Sequence, residues 1–316
     1  MNGQQKYIIG HEKNEEFLDR LIERNAIPGA FLFSGPRGLG KASMASIFAA
    51  KVFSNTEALQ AEQEASLFGE EERPKSLKFD TEIFEQIKNN SFPDFLHITK
   101  QEDNKNITID EVREINKFLN LSPAVSNNRV VVIDSADDLN ISSSNALLKS
   151  LEEPTKNSII IMICHNRSSL LPTIISRCCE VKFSALKQEQ FQQVIDSKDL
   201  SEEFIRELGV ITSFSPGMSQ AFAESEVEDL YRKLKSFFGK RNFNNIGEIN
   251  EISKILKENN NNYLFFKLYL SHMLSQRVKQ KQLETKDWFE VNKAFRESEN
   301  FNIDHNSLIK NIISII

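Results

Sequence analysis

The stretch Ala30-Phe-Leu-Phe-Ser-Gly35-Pro-Arg-Gly-Leu-Gly40-Lys41 reads as a buried strand that runs into a glycine-rich loop and then into a helix. Its first residues are apolar on both faces, as in a parallel strand covered from two sides. Glycines at 35, 38 and 40 let backbone N–H groups curl around phosphate oxygens. The N-terminus of the following helix adds positive potential, and Lys41 reaches toward terminal phosphates. Gly35, Gly38, Gly40 and Lys41 are therefore the candidate nucleotide-binding residues. The next position departs from the pattern. A working loop ends in Ser or Thr, whose hydroxyl ligates Mg²⁺, and here the residue is Ala42. Ser43 is no substitute, because one step along a helix turns the side chain by ~100°.

Outward from this loop, β-branched runs alternate with helical patterns as far as residue 183. Strands are expected at Ala30–Ser34, Phe95–Thr99, Arg129–Asp134, Ile159–Cys164 and Glu180–Phe183, with helices at Lys41–Phe53, Thr81–Lys88, Ile109–Leu119 and Ser143–Leu151. Such alternation predicts an α/β domain with a parallel sheet. Arg129–Asp134 ends in an acid, as does the strand that orients Mg²⁺ at a nucleotide site, so Asp134 joins the candidate set. A helix N-cap is the other use for such a carboxylate. The following residue is Ser135, where a hydrolysing site carries Glu, and Asp137 and Asp138 are expected to point elsewhere. After residue 183 the pattern is all-helical: Lys187–Ile195, Glu202–Ile211, Ser219–Phe238, Ile246–Glu258, Tyr263–Gln280, Lys286–Ser298 and His305–Ile316, with breaks at Ser215-Pro216-Gly217 and at the run Asn259–Asn262. The fold class is α/β plus all-α, in three domains: 1–183, a small helical lid at 184–224, and a helical collar at 225–316.

Composition limits the function classes. The 316 residues are 40% hydrophobic and 27% charged, the profile of a soluble globular chain. With 39 Lys+Arg against 45 Asp+Glu the net charge is −6, so DNA contacts must be local or shared with partners. Cys164, Cys178 and Cys179 form an odd set without a Cys-x-x-Cys, which argues against a disulfide framework and against structural zinc. The five histidines show no metal or triad spacing; Asn166, after His165, is an ordinary strand-end residue or a polar sensor. The N-terminus lacks a signal-peptide pattern and no apolar run approaches the ~20 residues that span a bilayer, so a cytoplasmic location and no membrane contact are expected. Glu57–Lys75 is acidic and poor in large apolar residues, which favours a solvated helix or mobile insertion over core, with an acidic docking surface as the alternative. Phe265, Phe266, Phe289 and Phe301 fall at helical spacings and are expected in the core rather than as stacking platforms.

Downstream, Ser144-Asn-Ala-Leu-Leu-Lys-Ser-Leu-Glu-Glu-Pro154 predicts a helix ended by proline, followed by a strand and then Leu170-Leu-Pro-Thr-Ile-Ile-Ser-Arg-Cys178. In this order, GPRGLGKAS, LLKSLEEP and LLPTIISRC resemble the clamp-loader branch of the AAA+ family over about residues 5–225. The resemblance implies an AAA+ P-loop domain, lid and collar. It also implies that Ser176-Arg177-Cys178 supplies an arginine, Arg177, to the ATP site of a neighbouring subunit. Ala42 and Ser135 align the chain with the non-hydrolysing delta prime-type subunits of bacterial DNA polymerase III. The alternative is an active gamma/tau-like ATPase, which would be expected to carry Ser or Thr at 42 and Glu at 135. Implied partners are gamma/tau and delta subunits, the sliding clamp, and primer-template DNA reached through the assembly. No cofactor is required, ATP or ADP binding without turnover is left open, and the zinc module of many relatives is not carried over. The Ser215-Pro216-Gly217 turn resembles the family's sensor-2 position, but Met218, Ser219 and Gln220 follow it instead of an arginine. Phe289, Ala294, Phe301, Ile303, Leu308, Ile312 and Ile315 form an apolar set that serves either as an oligomerisation surface or as ordinary bundle core.

Overall fold

The computed structural model describes residues 8–54, 77–101, 106–195, 200–225, 227–239, 245–301 and 303–316. The acidic Glu57–Lys75 segment lies outside them. The chain forms two compact units, residues 1–186 and 187–316.

In the first unit the chain runs α1 (Glu12–Glu23), β1 (Ala30–Ser34), α2 (Lys41–Ser54), α3 (Thr81–Lys88), β2 (Phe95–Thr99), α4 (Ile109–Leu119), β3 (Arg129–Asp134), α5 (Ile141–Glu152), β4 (Ser158–Cys164), α6 (Pro172–Ile175) and β5 (Cys179–Lys182). The sheet is parallel throughout, in the order β2-β3-β4-β1-β5. Alternate strand residues face opposite sides, so one sequence feeds two cores. Phe31, Phe33, Val130, Val132, Ile161 and Ile163 pack with α1, α2 and α3. Leu32, Val131, Ile133, Ile160 and Met162 pack with α4, α5 and α6.

Helix starts follow local chemistry. Asp80 caps α3 by accepting from Glu82 N at 2.7 Å, and Thr108 with Glu111 makes a capping box on α4. Helix α1 was not expected. Its composition, EKNEEFLDRLIE, is mostly charged, but Leu18 and Ile22 reach the core. Glu15 and Asp19 of α1 both bond the buried Lys51 ammonium of α2, at 2.7 and 2.8 Å.

The second unit is helical: α7 (Gln188–Val194), α8 (Glu202–Ile211), α9 (Pro216–Glu224), α10 (Glu228–Gly239), α11 (Ile246–Glu258), α12 (Asn260–Lys279), α13 (Thr285–Phe301) and α14 (His305–Ile315). One core runs from Phe204 to Ile312, so the lid and collar segments expected on either side of residue 225 share it. The helix expected over 219–238 is two helices. Ser225 turns its hydroxyl onto Ala221 O at 2.7 Å and accepts from Asn261 Nδ2 at 2.7 Å, and the chain restarts so that Val227, Leu230 and Leu234 are buried. The asparagine run is not a loop. Asn259 caps α12 through Asn261 N, and Asn262 is buried with its amide on Ile255 O.

Candidate functional site

Strand β1 lies between β4 and β5, and its last residue, Ser34, is level with Cys164 and Lys182. The loop after β1 therefore leaves the carboxyl edge of the sheet between two neighbouring strands, where parallel sheets bind ligands. Gly35 is required there: its φ is +145°, it donates to Cys164 O at 3.1 Å, and a Cβ would lie 2.2 Å from Phe183 O. Gly38 and Gly40 also have positive φ, +74° and +81°.

Lys41 opens α2 almost fully buried, and its ammonium donates to Gly35 O at 2.6 Å and Pro36 O at 2.5 Å. Burial pulls its pKa down to about 8, against the opposing charges of Asp134 and Asp137. Ala42 packs toward the α1–α3 core, and Ser43 is exposed.

Asp134 stands at the end of β3, level with Thr99 and Ile163, with His165 Nε2 at 3.9 Å. Ser135 is buried, and its hydroxyl donates to Asp138 Oδ2 at 3.2 Å. A hydroxyl so placed offers no carboxylate to polarise water.

Asp137 does not point elsewhere. It accepts from His165 N and Asn166 N, each at 2.7 Å, and from Ser169 Oγ at 3.0 Å, so it shapes the turn that ends β4 beside the phosphate loop. Burial pushes this carboxyl up, but the two backbone donors and the hydroxyl outweigh it and hold it below the usual range. The acidic pair after a strand was visible in the sequence, whereas the amides it would meet, nearly thirty residues on, were not. Asn166 uses its own side-chain oxygen to accept from Ser168 N, a short-helix cap. His165 is lowered to about 4 by burial and by the Lys41 and Arg37 charges.

Arg177 follows α6. It is one-third exposed at the side chain, donates from Nη1 to Thr173 O at 2.9 Å, and pairs through Nη2 with Glu152 Oε1 at 2.7 Å. Its partners are thus in its own turn and at the end of α5, and none belongs to the phosphate loop. The neighbouring Cys178 thiol is pushed up to about 12 by burial, which makes it a packing residue. In the second unit, Ser215 is buried and Pro216 occupies an early position of α9, whose sequence PGMSQAFAE contains no arginine.

The parallel sheet, its glycine loop and the helices that follow in sequence make an α/β domain followed by a helical C-terminal part. The family model described as DNA polymerase III, delta subunit, matches residues 10–187. The delta' subunit of Pseudomonas aeruginosa DNA polymerase III is 31% identical over 195 residues, 60% of this chain and 54% of the relative. The delta' subunit of Bacillus subtilis is 28% identical over 198 residues, 63% of this chain and 55% of the relative. The Bacillus subtilis tau subunit is 29% identical over 200 residues, 62% of this chain and 32% of the relative. The matched region thus spans about half the length of the delta' relatives. The model match, over more than half of the chain, and the delta' relatives agree: the chain belongs to the DNA polymerase III delta subunit family and is delta prime-like within it.

Proposed function

We propose that the chain is a non-hydrolysing subunit of a sliding-clamp loader, which assembles with gamma/tau- and delta-type subunits and lends Arg177 to the ATP site of a neighbour during DNA replication. The observation that carries this reading is the state of the chain's own nucleotide site. Position 42 offers a methyl group to the core where a Mg²⁺ hydroxyl is needed, and the Ser135 hydroxyl is tied to Asp138 where a water-polarising carboxylate is needed. Without those two groups the loop has no means to hold the metal or activate water, although its glycines keep a shape compatible with ATP or ADP. Arg177 keeps a partly exposed guanidinium, a planar cation suited to charge developing on a transferring phosphoryl group. The clamp and primer-template DNA are contacted through the assembly, in keeping with the chain's net charge of −6.

The match to a tau subunit supports a second reading, an active gamma/tau-like ATPase. Steady-state hydrolysis by the purified chain, with and without primer-template DNA, separates the two. The proposed function expects no Mg²⁺-dependent turnover above background. Motor-like turnover that Lys41→Ala abolishes would overturn it in favour of the ATPase.

A further inference from the structure

We propose that Glu152 is a positioning residue for Arg177: it anchors one end of the guanidinium so that the remaining N–H groups face outward in a fixed orientation. The inference rests on the reading of Arg177 as a donor to a neighbouring site. Three acceptors of the chain meet this guanidinium. Nη1 faces Thr173 O at 2.9 Å and Ser176 Oγ at 3.4 Å, and Nη2 faces Glu152 Oε1 at 2.7 Å. A guanidinium carries five N–H donors in one plane. The hydrogen bonds are both made by Nη1, and Nη2 meets Glu152 as an ion pair, which leaves the Nε and Nη2 N–H groups without a hydrogen bond among the described residues. Two unclaimed donors on one rigid plane are what a two-point contact with a phosphate needs.

The placement of Glu152 supports this role. It is the last residue of α5, where a carboxylate is disfavoured by the negative end of the helix dipole. Arg177 offsets that charge, so the carboxylate has a reason to stay on the guanidinium. The two elements are far apart in sequence, yet both belong to the core on the α4–α6 side of the sheet, where Leu147, Leu151, Leu170 and Ile174 are buried together. Glu152 and Arg177 are thus mounted on rigid supports, and the pair limits the rotamers of a long side chain that free solvent would leave mobile. A partly exposed pair adds little to folding. Its effect lies in orientation, where a small misplacement of a group that contacts the reacting phosphate is amplified in rate.

The test is a double-mutant cycle in the assembled clamp loader, read as kcat and KM for DNA-stimulated ATP hydrolysis. Glu152→Ala should lower kcat by about two- to five-fold with KM little changed, because the site affected acts in the transition state. Glu152→Asp, which withdraws the carboxylate by one methylene while keeping its charge, should show a loss of about two-fold and keeps the test available if the alanine variant fails to assemble. Glu152→Gln, which keeps the length of the side chain but removes the charge that holds the guanidinium, should lose nearly as much as Glu152→Ala. In an Arg177→Ala background Glu152→Ala should have no further effect, since its action runs through the arginine. A Glu152→Ala complex at the wild-type rate or above, beside an impaired Arg177→Ala complex, overturns the role of Glu152 and leaves that of Arg177 standing. A Glu152→Ala loss that persists undiminished in the Arg177→Ala background also overturns it. An Arg177→Ala complex at the wild-type rate overturns the donor role of Arg177 itself.

Discussion

Lys41 Nζ lies 2.5 Å from the carbonyl oxygen of Pro36, inside the loop whose phosphate it would otherwise meet. With Gly35 O at 2.6 Å, the ammonium is coordinated by its own loop, and burial has already weakened its hold on the proton. An ammonium used in this way contributes nothing to a neighbour's catalysis. Lys41→Ala in the assembled loader is therefore expected to leave total ATPase within about two-fold of wild type. A drop comparable to that of losing a working site would show that this loop turns ATP over.

Asp137 is the acid on which the turn after β4 depends. Asp137→Ala removes the acceptor of the His165 and Asn166 N–H groups, while the Ser169 hydroxyl keeps Asn166 O at 2.7 Å. The His165 donor is part-buried and the Asn166 donor is open to water, so a loss of about 1–2 kcal/mol in urea unfolding is expected, with Asn recovering part of it. An Asp137→Ala chain as stable as wild type would remove Asp137 from the architecture of the site.

At the opposite end of β3, Asp94 is fully buried and accepts from the backbone N–H groups of Ala124, Val125 and Ser126, with Arg129 Nη2 at 3.6 Å. Burial pushes its carboxyl up, but the loop amides and the Ser126 hydroxyl hold it below the ordinary range. Its contribution is thus present above the ordinary Asp range and is lost as pH falls through the depressed value. Asp94→Ala should cost about 3–5 kcal/mol, because Arg129 is left buried beside an empty position while three amides lose their acceptor. Guanidinium unfolding of the purified variant measures it, and a loss below about 1 kcal/mol would contradict the account.

His165 sets a pH window. Unfolded, its imidazole takes up a proton near 6.5, whereas burial and the Lys41 and Arg37 charges delay that to about 4 in the fold. The unfolded chain binds the extra proton between those values, so stability is full above 6.5 and declines as pH falls toward 4. One such group gives a slope of at most about 1.4 kcal/mol per pH unit. His165→Gln should flatten the decline between pH 6.5 and 4 in a melting series, and an unchanged slope would mean that this imidazole is not held neutral.

The strands and the glycine loop were legible because β1, β3 and β4 carry apolar runs, β2 and the short β5 carry apolar residues between turns, and each loop glycine has a backbone reason. Ser34 to Lys41 is local chemistry. What sequence could not supply was tertiary: α1 is mostly charged, and its place depends on Lys51 meeting Glu15 and Asp19. Asp137 was misjudged for the same reason, since its donors lie on another strand's exit. Ser225 broke a continuous helical pattern through bonds to Ala221 and Asn261 that no periodicity encodes. Among the aromatics, Phe265 and Phe266 are fully buried as their spacing suggested, but Phe289 and Phe301 are 59% and 76% exposed. Helical spacing alone does not say which face meets the core.

Those two phenylalanines lead to the last prediction. Helix α13 buries Val291, Ala294 and Phe295, and α14 buries Leu308, Ile309 and Ile312, so Ala294, Leu308 and Ile312 belong to the core of the second unit. Of the remaining four residues of the apolar set, Ile315 packs partly buried against the same core, whereas Phe289, Phe301 and Ile303 are exposed to water in the isolated chain. Covering an aromatic ring of this exposure with a partner contributes about 1–2 kcal/mol, whereas changing these rings to Ser gives up little within the chain beyond the edge contact of Phe289 with Trp288. Phe289→Ser combined with Phe301→Ser should therefore leave the melting temperature within about 2 °C and weaken assembly with the other loader subunits by about ten-fold or more. Ile312→Ala should do the reverse, costing about 2–5 kcal/mol of stability through a cavity in the shared core. Titration calorimetry or analytical ultracentrifugation of the double variant with its partners decides the matter: unaltered association would assign the oligomerisation surface to a part of the chain other than these two rings.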